Sequence, residues 1–388
     1  MIGLPRLRAK LPSRNWSIFL AACSVIGSTV AYDRYHTKLV KKKWIDTVSH
    51  LATEPLPPMA LPRKVTVYLA APPGDGIQAA REHFRDYVKP LLNAAAVDFD
   101  VVEGRRMGEL RHKVAEEIRG RRRGDEDGPL EVVRKNAGIK RVEEGGVIVI
   151  GRHTWKEYLR GIHEGWLGPL EEPLPPSPLP SERRETDLAP VVETLEDAIA
   201  GKAVWVDGST DPQEQEKKKK EELKKNAIPA PFLLPSQYET AKMSEQIPGR
   251  LEAAAIIAFP HILGFLNTPI RMYRFVTRRH MADEVCREAA AVALGFHRPF
   301  ITAPEPAGTL MMQEEVEDGL KTRKETGEIN ALEYEESDWP KKVWNEERYQ
   351  GEWTDGVSVD ERIRERLRKF FIPTDREPEY HSAAMREN

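Results

Sequence analysis

The hydrophobic pattern of the chain begins with seventeen uncharged residues, 16–32. As a helix they would span roughly 26 Å, slightly less than the hydrocarbon core of a bilayer. Trp16 and Tyr32 stand at the two ends, where aromatic side chains favour the membrane interface, and Gly27 is one of several small residues that would let a partner helix approach closely. The stretch predicts a transmembrane helix, and a cleaved signal peptide is the alternative with a similar composition.

Helical spacing continues beyond the uncharged stretch, and no helix-breaking residue occurs before Pro55. The apolar residues that recur on one face there are Val40, Trp44, Val48 and Leu51. Because a signal peptide ends in an extended stretch of small residues, the pattern favours a retained anchor that continues into a stalk helix and a Pro-rich linker within 33–60. Basic residues flank the anchor on both sides, in 1–15 and after Tyr32, so charge alone does not fix its orientation.

From residue 61 the chain alternates between short apolar runs and helical spacing. Strands are predicted at 65–69, 97–102 and 147–150, and helices at 79–92 and 107–120. A later apolar run is interrupted by Pro260, which predicts a buried strand followed by a loop and a helix and not a second membrane span. The alternation predicts an α/β domain over 61–300, in which helices cover both faces of a parallel sheet.

Two polar stretches interrupt this domain. The Pro-rich stretch 168–190 and the charged run 209–226 are predicted to be surface insertions, because neither contains enough apolar residues to bury. Between them the sequence KAVWVDGS, at 202–209, predicts a further strand.

The C-terminal segment, 301–388, mixes many charges with tryptophans such as Trp339 and Trp353, and it predicts an extended arm that packs through those side chains. Within it, 358–371 has capping-box spacing and an apolar stripe that includes Ile363 and Leu367. The stripe predicts an amphipathic helix that either docks on the parent domain or binds a groove in a partner.

Composition and charge exclude several classes of function. The net charge of -3 gives no basic surplus, so nucleic acid is not an expected partner. The only two cysteines, Cys23 and Cys286, are too few for a disulfide framework or a thiolate zinc site, and the ten histidines include no HExxH motif. We therefore predict no metal site, no cofactor and no catalytic residue.

Two loops after the predicted strands have the composition of a degraded phosphate site. The sequence Ile150-Gly151, with Thr154 to Glu157 after it, resembles lipid kinases of the diacylglycerol and sphingosine kinase type, in which an apolar strand leads into Gly-Gly-Asp-Gly-Thr. Arg152 and His153 stand where the second glycine and the aspartate would be, and one position is missing. Without those groups the backbone cannot approach a nucleotide phosphate closely, so the resemblance implies a kinase-like fold without kinase activity. The residues of this vestigial phosphate loop are Gly74, Gly76, Gly151, Arg152, His153 and Thr154.

Four arginines follow the later apolar run and are predicted to share one helical face beside Tyr273 and Phe275. A solvated face is the ordinary interpretation, and a surface for lipid headgroups or an acidic partner is the alternative. The residues of this candidate partner or lipid surface are Arg271, Arg274, Arg278 and Arg279, together with Ile363 and Leu367 from the C-terminal stripe.

Two long stretches of the sequence resemble one protein family. They are LPSRNWSIFLAACSVIGSTVAYDRYHTKLVKKKW at the start and FPHILGFLNTPIRMYRFVTRR later in the chain. Both are similar to the fungal Tim subunit of about fifty-four kilodaltons, part of the mitochondrial inner-membrane translocase that inserts multispanning carrier proteins.

The resemblance implies a matrix-facing N-terminus, a single inner-membrane anchor and a large domain in the intermembrane space. It also implies a non-catalytic structural subunit that holds the pore-forming translocase subunit and docks small hexameric chaperones, with inner-membrane lipids as further partners. Two alternatives stay open at this point: a membrane-anchored lipid kinase-like protein, and a lipid-binding module descended from one.

Overall fold

The computed structural model describes residues 13–55, 60–124, 133, 136–138, 140–141, 145–171, 228–300, 328–344 and 353–373. The predicted strand at 202–209 and the charged run 209–226 lie outside these residues, as do most of the basic N-terminus 1–15 and of the Pro-rich insertion 168–190. The chain divides into a main unit, formed by Met1–Leu170 with Leu233–Asn388, and a second unit, Glu171–Phe232. The fold described below is that of the main unit.

The N-terminal part of the main unit is one continuous helix, α1 (Arg14–Val48). Within the described ranges it is the one helix long and apolar enough to cross a membrane. The side chains of its apolar half, such as Ile18 and Val25, are exposed, as those of a lipid-facing span would be. The helix does not break after Tyr32, as the uninterrupted helical spacing of the sequence predicts.

The centre of the main unit is a six-stranded sheet with the spatial order β2-β1-β3-β4-β6-β5. Its strands are β1 (Lys64–Ala70), β2 (Asp98–Gly104), β3 (Gly146–Ile150), β4 (Ala253–Ile257), β5 (His297–Pro299) and β6 (Arg368–Phe370). All neighbours are parallel except β5, which runs antiparallel to β6. Every residue of β3 and β4 is buried, which explains why both read as continuous apolar runs. Two short strands, Ala60–Leu61 and Lys140–Arg141, pair separately.

Helices cover both faces of this sheet, as the alternating pattern predicts. After α1 they are α2 (Gln78–His83), α3 (Lys89–Ala94), α4 (Glu109–Arg123), α5 (Arg152–Leu167), α6 (Thr268–Val276), α7 (Arg278–Leu294) and α8 (Glu361–Arg364). A π-helical turn joins α2 to α3. One core contains α7, α2, α3 and the end of α1; the other contains α4, α5 and the C-terminal segment.

The stalk half of α1 is part of the first core. Trp44 and Val48 are buried, and Trp44 Nε1 donates a hydrogen bond to Asp283 of α7 over 2.7 Å. Nearer the membrane end, the Asp33 carboxylate accepts hydrogen bonds from the backbone N–H and the guanidinium of Arg279, at 3.2 and 3.3 Å. The predicted stalk is therefore part of the domain core, because its apolar face is the face that packs against α7.

The C-terminal segment differs from its prediction in two ways. Instead of an amphipathic helix over 358–371, the chain forms the single turn α8 and then strand β6, which pairs with β4. Ile363 and Leu367 are fully buried in the second core, so they are not a partner surface. The apolar residues of the stripe are buried, as predicted, but the chain buries them by adding a strand to the sheet and not by forming a long helix. The described part of 301–388 is therefore integrated into the domain. Trp339 and Trp353 are buried, as the packing of this segment through tryptophans predicts.

The packing of α1 generates a stability prediction. Replacing Trp44 with alanine in the full chain should lower the free energy of unfolding by about 3–5 kcal/mol, because it empties a buried aromatic site and removes the bond to Asp283. Urea unfolding followed by far-ultraviolet circular dichroism measures this change. The matched control is Tyr35→Ala on the same helix, where the aromatic side chain is 61% exposed and a change within about 0.5 kcal/mol is expected. Equal effects of the two variants would show that the stalk does not pack on the domain.

Candidate functional site

The candidate site lies where the order of the sheet reverses. In doubly wound sheets the ligand crevice lies outside the carboxyl ends of the strands at such a point, here between β1 and β3. The loop with Gly74 and Gly76 follows β1, and the sequence from Gly151 to Thr154 follows β3. Both parts of the vestigial phosphate loop therefore reach the same edge of the sheet.

Gly151 makes the turn from β3 into α5 in a single residue. Its φ of +87° lies in the left-handed region, and a Cβ at this position would be 2.7 Å from the imidazole Cε1 of His153. Its N–H donates to the carbonyl of Ile257 at the end of β4, over 2.9 Å. Because α5 begins at the very next residue, its N-terminal N–H groups point into the crevice, as they would in a phosphate-binding loop.

The chain itself occupies the position that an anion would take. The Glu335 carboxylate, which is buried, accepts a hydrogen bond from the backbone N–H of Arg152 over 2.9 Å. Its second oxygen accepts one from the N–H of Phe259, just after β4, over 2.5 Å. A side-chain carboxylate thus holds backbone donors at the ends of two adjacent parallel strands.

The segment around Glu335, residues 328–344, closes the rest of the crevice and is called the plug segment below. Glu336 pairs with Arg152 at 2.8 Å and with Lys156 at 2.7 Å. Trp155 Nε1 donates to the carbonyl of Ile329 over 2.8 Å. On the β1 side Pro340 lies against Gly74, where an added Cβ would be 3.0 Å from the proline Cγ. The plug segment therefore contacts both loops of the vestigial phosphate site.

The two residues that could have supplied positive charge to this site do not do so. The Arg152 guanidinium is held by Glu336 and by the carbonyl of Ala331, which is 3.0 Å away. The His153 Nε2 lies 3.0 Å from the Ala70 carbonyl and donates to it, and burial lowers the pKa of His153 to about 4. His153 is consequently neutral at physiological pH, and Thr154 is fully buried.

A buried polar network, which the sequence analysis did not predict, runs along α5. The Glu157 carboxylate accepts hydrogen bonds from the Leu110 N–H at the start of α4 and from Trp353 Nε1, at 3.1 and 2.9 Å. Further along the helix, Glu164 pairs with Arg111 and, over 2.6 Å, with Arg119; all three are buried. These charged residues look like a solvated face when α5 is taken alone.

A glycine spacing in α5 was the signal that could have revealed this burial. At Gly161 a Cβ would be 2.7 Å from Val114 of α4, and at Gly165 it would be 2.6 Å from Ile118. Glycines four residues apart inside a helix indicate that another element approaches closely. The charges on α5 face that neighbour and other buried groups, since α4 packs directly against α5.

The four arginines of the candidate partner or lipid surface do not share one helical face. The helix is interrupted at Thr277, which leaves Arg271 and Arg274 on α6 and Arg278 and Arg279 on α7. Arg274 pairs with Asp338 of the plug segment at 2.7 Å, and Arg279 pairs with Asp33. The prediction of a single basic face was wrong because it assumed a continuous helix; Arg271 and Arg278 remain exposed.

Comparison with known proteins identifies relatives over nearly the whole chain. Residues 1–370 match the protein family described as inner membrane protein import complex subunit Tim54. The chain is 40% identical to the mitochondrial import inner membrane translocase subunit tim54 of Aspergillus oryzae, with 96% of this chain and 87% of that protein covered. The protein of the same name from Neurospora crassa is 41% identical over 97% of this chain and 81% of its own length. That from Schizosaccharomyces pombe is 32% identical over 82% of this chain and 87% of its own length.

The buried carboxylate of the plug segment generates a prediction about pH. Burial raises the pKa of Glu335 from 4.5 to about 7, and the N–H groups of Arg152 and Phe259 oppose this rise. The folded chain therefore binds a proton more tightly than the unfolded chain, so the contribution of Glu335 to stability is largest below pH 4.5 and is lost as the pH rises through 7. The loss amounts to at most about 3 kcal/mol.

Glutamine does not titrate, so Glu335→Gln removes this pH dependence. The free energy of unfolding of the variant minus that of the unmodified chain should therefore increase between about pH 5 and pH 7.5. Urea unfolding of the full chain at a series of pH values measures it. The control is Glu333→Gln, an exposed position on the same plug segment, for which the unfolding free energy should change with pH as it does in the unmodified chain. The same pH dependence in Glu335→Gln as in the unmodified chain would contradict the placement of the Glu335 carboxylate in the crevice.

Proposed function

Because the chain belongs to the Tim54 family of inner membrane protein import complex subunits, we propose that it is a structural subunit of the mitochondrial inner-membrane translocase that inserts multispanning carrier proteins. In this role it acts by contact with other subunits and not by chemistry. Its partners are the pore-forming subunit, which it holds, and the small chaperone hexamers of the intermembrane space, which dock on it.

The observation that carries a non-catalytic role is the filled crevice. In a kinase-like site the N-terminus of α5 would receive a nucleotide phosphate, whereas here the Glu335 carboxylate takes those donors. Arg152 and Lys156, the basic side chains nearest to the site, both pair with Glu336. A ligand would have to displace the whole plug segment, including its contact with Gly74, before it could reach the backbone.

The anchor supports a place in a membrane assembly. Gly27 has open space around it, so a partner helix can approach the α1 backbone there. Ser24 and Ser28 share this face of the helix, and we assign it to the pore-forming subunit. Orientation follows the family expectation, with the N-terminus in the matrix and the main unit in the intermembrane space.

Site-specific photo-crosslinking in intact mitochondria tests the helix contact. A photoreactive amino acid at Ser28, on the small-residue face, should form adducts with a membrane subunit of the translocase. The control position is Ile26 on the opposite face, where the same group should yield at least about fivefold less protein adduct because it meets lipid. Absence of translocase subunits from the Ser28 adducts would refute the proposed role of this face.

Protease accessibility tests the orientation. When the outer membrane is opened by swelling, added protease should digest the main unit, while an epitope placed before Arg14 should stay protected until detergent is added. With the outer membrane intact, both parts should be protected. Digestion of the N-terminal epitope in swollen mitochondria, with the main unit protected, would reverse the proposed topology.

A further inference from the structure

The most exposed large apolar side chains among the described residues lie far from α1 in sequence. Phe265 is 89% exposed and Leu266 is 90% exposed, whereas Val25 in the membrane span is 66% exposed. Both lie in the turn that leads into α6, and Ile270, Met272 and Tyr273 extend the exposed apolar surface along that helix. An exposed apolar cluster of this kind on a folded domain indicates a surface that binds a membrane or another molecule.

The position of this surface relative to the bilayer follows from the contacts of α1. Asp33 is the first charged residue after the uncharged span, and its carboxylate binds the backbone N–H of Arg279 in the first turn of α7. The Arg279 guanidinium also lies over the Tyr32 ring, 5.5 Å from its centre. The start of α7 therefore lies at the same distance from the bilayer centre as the end of the span. Helix α6 ends at Val276, just before α7, and also contacts α1, so its end lies at that distance too.

The course of the two helices shows which edge of the domain faces the bilayer. Asp33 contacts Arg279, and Trp44, further from the span, contacts Asp283 further along α7. Both helices therefore run away from the membrane. The end of α7 lies at the amino edge of the sheet, where Arg63, just before β1, donates to the Val292 carbonyl over 2.6 Å, so α7 begins toward the carboxyl edge. The loop that connects β4 to α6 lies at this carboxyl edge, since His261 contacts Asp75 of the loop after β1 at 3.1 Å. The carboxyl edge of the sheet thus faces the bilayer.

The charged residues in 264–280 indicate what kind of surface covers the exposed apolar side chains. Between Gly264 and His280 the sequence has four arginines and no Asp or Glu. Two of the arginines are paired inside the protein, with Asp33 and Asp338, while Arg271 and Arg278 are exposed. Exposed aromatic and aliphatic side chains next to basic ones are the composition of helices that lie in the interface of an anionic membrane.

We propose that residues 264–276 lie in the interface of the bilayer that α1 spans, with Phe265 and Leu266 inserted among the acyl chains. Arg271 and Arg278 bind the phosphates of anionic phospholipids on the same surface. The proposal rests on the membrane anchoring of α1 in the proposed function, and it adds a second, peripheral contact at the carboxyl edge. With two contacts the domain is held in one orientation on the membrane, whereas one helix alone allows it to rotate and tilt.

Fluorescence quenching of the full chain in vesicles tests the proposal. Single cysteines are introduced in a Cys23→Ala, Cys286→Ala background and labelled with an environment-sensitive fluorophore, at Leu266→Cys and, as the control, at Ala52→Cys. Ala52 is also exposed, and it follows the end of α1 roughly 28 Å from Asp33. The vesicles contain phosphatidylcholine with cardiolipin, and a lipid with a nitroxide near the headgroup is the quencher.

We expect the nitroxide to quench the label at position 266 at least about fivefold more than the label at position 52. Arg271→Glu combined with Arg278→Glu should reduce the quenching at position 266 in these vesicles and should have little effect in vesicles of phosphatidylcholine alone. An aqueous emission spectrum at position 266, without quenching, would overturn the proposal. Protection of that position only in mitochondrial membranes, or only on self-association, would assign the surface to a protein partner or to a second copy and would equally overturn it.

A third label separates this inference from the proposed function. A fluorophore at Ile26→Cys, inside the span, should be quenched by a nitroxide deep in the acyl chains if α1 crosses the bilayer. Quenching at position 26 without quenching at position 266 refutes the interfacial contact and leaves the anchor intact. Absence of quenching at both positions refutes the anchor and the inference together.

Discussion

The packing of the second half of α1 against α7 is the constraint on which the arrangement of this chain depends. It buries Asp33 at the start of α7 and joins Trp44 to Asp283, so the helix that forms the membrane span is also a core helix of the domain. Since Val292 near the end of α7 contacts Arg63 just before β1, α7 runs antiparallel to β1, and the contact at its start places the carboxyl edge of the sheet nearer to the candidate membrane span. The loops after β1, β3 and β4 all lie at that edge, together with the plug segment.

The filled crevice explains how a sheet of this type can serve as a scaffold. Doubly wound sheets bind ligands at the carboxyl edge because helix N-termini and strand ends leave backbone donors unpaired there. In this chain Glu335 satisfies two such donors, and its neighbour Glu336 forms ion pairs with both Arg152 and Lys156. Buried backbone donors need a partner, and in this chain the internal carboxylate is that partner, so the donors are satisfied without a ligand.

Local periodicity was enough to predict the layered architecture and the continuous α1, because the runs that form β1, β3 and β4 are short and bounded by turn residues. It failed where distant parts of the chain decide the outcome. Strand β6 was taken for a helix because its pairing with β4 cannot be seen in its own residues. Glu335 lies 183 residues from Arg152 in sequence, and no pattern connects them. The buried charges on α5 were not predicted either, although Gly161 and Gly165 indicate a close neighbour.

Hydrogen exchange of the full chain in lipid nanodiscs tests the central claim, that the stalk half of α1 is part of the domain core. If it is, peptides that cover the region of Trp44 and Val48 will exchange as slowly as peptides from the buried half of α7, because both open only when the domain unfolds. Exchange of the α1 peptides at the rate of an isolated solvated helix, with α7 still protected, would contradict the account. The second half of α1 would then not pack on the domain, and the orientation of the sheet relative to the membrane would not be determined by α1.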